Sequence, residues 1–120
     1  MLNHELLRDE GILVVMPSGP FEAKDFERIA REVDPYIEDK GKLNGLMICA
    51  KSFPGWDDFA ALITHFRFIK NHHHNIQKVA AVADSGFLSA LPHIASHFIQ
   101  AEVRHFDYGD REAALDWIRE

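Results

Sequence analysis

Three observations predict a single α/β domain built on one mostly parallel, mixed five-stranded sheet with four helices. Short runs that are apolar at every position recur along the 120 residues, at Ile12-Leu13-Val14-Val15-Met16, Leu46-Met47-Ile48-Cys49-Ala50 and Val79-Ala80-Ala81-Val82-Ala83. Such runs mark strands covered on both faces. Between them lie stretches whose apolar residues repeat at helical spacing, the pattern of parallel strands joined by crossover helices. Near the start, Arg8-Asp9-Glu10-Gly11 leaves room only for a tight turn between two strands, so the first pair is antiparallel. The resulting order is β-β-α-β-α-β-α-β-α.

The elements follow in turn. The first strand runs from Leu2 to Leu7 and the second from Ile12 to Met16. Pro17-Ser18-Gly19-Pro20 breaks the chain, after which Phe26, Ile29, Ala30, Val33 and Ile37 fall at helical spacing among charged residues. Pro35 lies within this pattern and is expected to kink or split the helix. Lys40-Gly41-Lys42 ends it, with a glycine to stop the helix and cations to suit its dipole. The third strand, Leu43 to Ala50, leads through Lys51-Ser52-Phe53-Pro54-Gly55 to a second helix, from about Trp56 to Lys70. Asn71-His72-His73-His74-Asn75 terminates that helix. A fourth strand runs from Ile76 to Ala83, and Asp84-Ser85-Gly86 opens a third helix that continues to about Ile99. The fifth strand spans Ala101 to Phe106. Asp110 is the expected N-cap of a last helix reaching Arg119, with Ala113, Ala114, Trp117 and Ile118 turned inward.

Phe53-Pro54-Gly55-Trp56, the strand from Lys78 to Asp84, Glu102-Val103-Arg104-His105-Phe106 and Ala113-Ala114-Leu115-Asp116-Trp117-Ile118 together resemble the SpoIIAA-like family. That family is related to the STAS (anti-sigma-factor antagonist) domains, and its fold is compared with CRAL-TRIO lipid carriers. The resemblance covers nearly the whole chain and implies a small binding or regulatory module, with apolar-ligand carriage or membrane association among its roles. The STAS regulators carry a phosphorylatable serine after the third strand. Ser52 is the nearest match here, although the aspartate that precedes it in the regulators is missing. Asp84-Ser85 repeats the pattern one strand later, where capping the third helix is a sufficient role for it.

Composition narrows the function further. Thirteen Lys and Arg against nineteen Asp and Glu give a net charge of −6, a poor match to a nucleic-acid backbone. One cysteine, Cys49, excludes an internal disulfide and a cysteine-based zinc cage, and its apolar strand suits an inert core thiol. No apolar stretch approaches the roughly 18 residues that span a bilayer, and the acidic N-terminal decapeptide does not read as a secretory signal. The expected address is the cytoplasm.

Charge is unevenly spread. From Phe59 to Ala83 there is no acid, while Arg67, Lys70 and Lys78 stand there beside His65, His72, His73 and His74. On the second helix Phe59, Leu62, Ile63, Phe66 and Ile69 share the core stripe. Phe68 projects to the opposite side with Arg67 close in angle, an arrangement suited to an anionic membrane surface or to a partner. Phe53 and Trp56 stand at the mouth of a strand, where ligands of α/β sheets bind. There Phe53 suits the lip of an apolar pocket, while Trp56 suits a plug in the end of the core. Phe59, Ile63 and Phe66 from the second helix and Phe87 and Leu91 from the third would line that pocket. Arg67 and Lys70 would select an anionic head.

No metal or other cofactor is expected. His93 and His97 are spaced to grip one ion, but residue 94 is Ile, so H-E-x-x-H is not formed, and both lie on a polar flank beside Ser89 and Ser96. Three consecutive side chains at His72-His73-His74 cannot converge. G-x-S-x-G, P-loop and G-x-G-x-x-G motifs are all missing, and no pair of groups suggests acid–base or nucleophilic work. The expectation is a non-enzymatic module that carries an apolar or amphipathic small molecule, or associates peripherally with membrane, through the second and third helices. The alternative is a regulatory protein-interaction domain of the anti-sigma-factor-antagonist type, with Ser52 as its switch. A homodimer through the second helix fits either reading, although no residue specifies it.

Overall fold

The computed structural model describes residues 2–17, 23–41, 43–50, 76–84 and 102–120. Its elements are β1 (Leu2–Leu7), β2 (Ile12–Pro17), α1 (Ala23–Lys40), β3 (Leu43–Ala50), β4 (Ile76–Ala83), β5 (Glu102–Phe106) and α2 (Arg111–Arg119). The five strands form one sheet in the order β1-β2-β3-β4-β5. β1 pairs antiparallel with β2, and the remaining pairs are parallel. The mixed five-stranded α/β architecture therefore stands as expected. Two of the four expected helices, α1 and α2, fall among the described residues. The helices expected from about Trp56 to Lys70 and from Asp84-Ser85-Gly86 to about Ile99 lie outside them.

Strand alternation explains the doubly apolar runs. In β2, Leu13 and Val15 point into the core beneath α1, with Ile29, Val33, Tyr36, Ile37, Leu46, Ile48, Val79 and Ala81. Their neighbours Ile12 and Val14 point into the second core with Met47, Ala80, Val82, Ala114, Leu115 and Ile118 of α2. All four β2 residues are completely buried, and each such side chain contributes about 1.5–3 kcal/mol on leaving water. A polar residue at any of them would be buried without a partner.

Tight local chemistry joins these layers. Gly11, at φ +68°, closes the β1–β2 turn, and its amide donates to the Leu7 carbonyl at 2.8 Å. The Asn44 side chain ties the same turn to β3 by donating to the Glu10 carbonyl at 2.7 Å. Gly41 ends α1 at φ +84° and donates to the Ile37 carbonyl, the left-handed stop its sequence position suggested. α1 is held over β1 by Tyr36, whose hydroxyl donates to the Arg8 carbonyl at 2.9 Å, and by the 3.1 Å contact between His4 Nε2 and Glu32.

Two local expectations are corrected, and a third, the N-cap of α2, holds in position only. Pro35 does not split α1, which runs unbroken through it. Pro35 is exposed and the carbonyl it leaves without an amide is that of exposed Arg31, while Ile29, Val33, Tyr36 and Ile37 anchor the buried side. Asp110 occupies the cap position of α2 but makes no side-chain capping bond there. On the same helix Ala113 is exposed and Leu115 buried, while half-buried Trp117 packs against the second core as expected. The face of α2 is thus rotated toward Ala114, Leu115 and Ile118.

That rotation rests on Gly45. A methyl group added at Gly45 would run into the Cγ2 of Ile118, a branch fixed close to the α2 backbone and with little room to swing away. Gly45→Ala is expected to destabilise the fold by about 1–3 kcal/mol, the usual cost of overpacking, read as a lower chemical-denaturation midpoint.

Candidate functional site

Parallel strands place all their carboxyl ends on one rim, and in α/β sheets that rim is where ligands and partners meet the domain. Here it is formed by the ends of β2, β3, β4 and β5. Ala50 and Ala83 stand side by side in the register, as do Val82 and Phe106. Strand order never reverses from β2 to β5. Among the described strands there is consequently no switch point of the kind at which α/β sheets open a ligand crevice.

Two of the titratable groups near this rim, His105 and Cys49, are among the described residues. His105 is half-buried on β5, and its Nε2 lies 2.9 Å from the Ala83 carbonyl oxygen, which pins the ends of β4 and β5 together. Burial pushes the Cys49 thiol above its ordinary pKa, opposed by the positive charge of Arg111. Cys49 is accordingly a protonated thiol at neutral pH, as its apolar strand suggested. Arg111 also lies 3.8 Å from Glu5, linking α2 to β1. Among the described residues no group of three His, Cys, Asp or Glu side chains converges as a metal site would require.

The clefts among the described residues lie at the opposite, amino-terminal rim. One of about 310 Å³ is lined by Arg8, Asp9, Pro35, Tyr36, Asp39 and Lys40. The other, of about 360 Å³, is bounded by Asp9, Glu10, Asn44, Gln77, Lys78, Ile118, Arg119 and Glu120. Both cations that line the second are already engaged. Arg119 donates to Glu10 at 2.6 Å and to Asp116 at 3.0 Å, and these acids raise the pKa of its guanidinium. Lys78 donates to the Trp117 carbonyl at 2.8 Å and lies 5.2 Å from the centre of that ring. Charged walls of this kind do not suit an apolar ligand, whose pocket is lined mostly by hydrophobic side chains.

The family model for SpoIIAA-like proteins matches residues 12–119, from the first residue of β2 to the last of α2. This chain belongs to the SpoIIAA-like family. No curated protein and no solved structure matches it. β1 precedes the matched span of the SpoIIAA-like domain, yet it is the strand against which α1 is latched.

The residues that sequence reasoning nominated for a ligand or membrane site are Phe53, Trp56, Phe59, Ile63, Phe66, Arg67, Phe68, Lys70, Phe87 and Leu91. They and the nominated switch residue Ser52 lie outside the described residues, as do His93, His97 and the His72–His74 run. What sequence reasoning missed is the polar pinning of the strand ends. His105 drew attention only as a residue with no nucleophile nearby, because its partner is a backbone carbonyl that no side-chain pattern reports. Among the described residues no helix is long and apolar enough to cross a membrane.

The Cys49–Arg111 pairing has a measurable sign. At pH 8 Cys49 is expected to react with iodoacetamide more slowly than a free thiol, because burial keeps its thiolate fraction low, and the rate should climb as pH rises past 9. Arg111→Gln removes the influence that lowers the thiol pKa and should slow the reaction at pH 8 further, as followed by mass spectrometry.

Proposed function

We propose that this SpoIIAA-like domain is a non-enzymatic regulatory protein-interaction module of the anti-sigma-factor-antagonist type. The observation that carries the reading is the family match from β2 through α2, on a sheet whose strand order gives a partner a continuous rim and a small molecule no topological crevice. The engaged imidazole of His105 and the protonated thiol of Cys49 favour binding over catalysis.

In this reading the loop after β3 is the switch, and Ser52, two residues beyond Ala50, is the group modified. Phosphorylation there adds about two negative charges beside a docking rim, enough to eject a partner or recruit a basic one. The partner implied is a serine kinase that also serves as the binding target. Carriage of an apolar ligand, as in the comparison with CRAL-TRIO domains, gains no support from the charged clefts. Peripheral membrane association would depend on Phe68 and Arg67.

Affinity purification from the source cells, followed by calorimetry on the purified pair, tests the proposal. A stoichiometric protein partner is expected to bind wild type and Ser52→Ala alike, and Ser52→Asp at least about tenfold more weakly, a difference of about 1.4 kcal/mol. Equal affinity of Ser52→Asp would remove the switch. Failure to obtain any partner, together with a lipid retained by the purified protein in native mass spectrometry, would replace this function with that of a carrier. Flotation with anionic liposomes that is abolished by Phe68→Asp would replace it with membrane binding.

A further inference from the structure

We infer that β5 is a self-pairing edge, through which two copies of this chain join their sheets into one of ten strands. Among the described residues β5 is hydrogen-bonded to β4 alone, so no described strand covers its outer backbone edge. An open edge is a template for another strand, and the side chains of β5 determine which strand suits it.

Glu102 and Arg104 are both exposed and lie two residues apart, so they share the face of the sheet that α2 packs against. Among the described residues neither has an ion-pair partner. Lys78 is the register neighbour of Glu102 on β4, but its ammonium is turned away to the Trp117 carbonyl. Arg104 lies over the Phe106 ring at 5.0 Å, which stacks the guanidinium but leaves its charge uncompensated. The rest of the strand is anchored inward. Val103 packs on the core beneath α1, His105 contacts the Ala83 carbonyl, and Phe106 packs against Trp117 with ring centres 5.8 Å apart.

Antiparallel pairing of two identical edges requires a two-fold axis perpendicular to the sheet, which keeps opposed residues on the same face. With the axis beside Val103, Glu102 of each copy stands opposite Arg104 of the other, and two reciprocal ion pairs form. Moving the axis one residue either way sets Arg104 against Arg104 or Glu102 against Glu102, and like charges directly opposed are destabilising. One register is therefore selected by charge, and its occupant is a second copy of this strand. The opposite edge lacks this property. On β1, His4 is taken by Glu32 and Glu5 lies near Arg111, so its charged groups are already used within the chain.

Sedimentation equilibrium on the full chain at about 50–100 μM tests the pairing, since a weak edge dimer has a dissociation constant in the micromolar range. Wild type is expected at twice the 13.7 kDa chain mass. Glu102→Arg and Arg104→Glu should each raise the dissociation constant at least about tenfold, and the double exchange E102R/R104E should restore it. Circular dichroism verifies that each variant is folded. A monomeric wild type, or a dimer indifferent to the single reversals, overturns the inference. A dimer lost in the single variants and not recovered in the double one overturns the register and the inference with it.

Discussion

Everything else in this molecule depends on strands that are buried on both sides. Once Ile12, Leu13, Val14 and Val15 are all out of water, the sheet must have a layer on each face, and each layer must come from a different part of the chain. α1 serves one face from between β2 and β3. α2 serves the other from the far end of the sequence and can approach closely only because β3 carries no side chain at Gly45. The hydrophobic term sets the architecture, and a single missing methyl sets how near the second layer sits.

Polar contacts are placed where this layering leaves backbone or charge to satisfy. Asn44 binds the Glu10 carbonyl and Tyr36 the Arg8 carbonyl at the amino-terminal rim, while His105 meets the Ala83 carbonyl at the carboxyl-terminal one. Asp25, buried in the first turn of α1, lies 3.1 Å from Arg28, so its charge has both a cation and the positive end of a helix dipole beside it. At both rims, the polar side chains of Asn44, Tyr36 and His105 thus tie a helix or strand to the backbone of a turn or of another strand.

Most of this fold was legible in the sequence because the signals were strong and local. Doubly apolar runs gave the strands, and Gly41 after a charged helical stretch gave the end of α1. Pro35 misled because the rule about helix interiors counts the lost hydrogen bond and ignores which side of the helix bears it; here it falls on the exposed side, where a carbonyl open to solvent costs little. Ala113 misled for a related reason: the turn of α2 about its axis is dictated by the fit of Ile118 over Gly45, a contact between residues far apart in sequence. For the site, sequence reasoning favoured large aromatics near cations in the middle third, a pattern of composition. The His105–carbonyl contact and the Cys49–Arg111 interaction depend on register across strands, which composition does not encode.

Arg119 reaches Glu10 across 109 positions of sequence, so the last helix is clasped to the turn that begins the parallel sheet. During synthesis, therefore, Ile12, Val14, Met47, Ala80 and Val82 leave the ribosome well before the helix that packs on them. Until α2 has been made, that flank of the sheet has no cover from it, so the strands made first cannot complete their own burial.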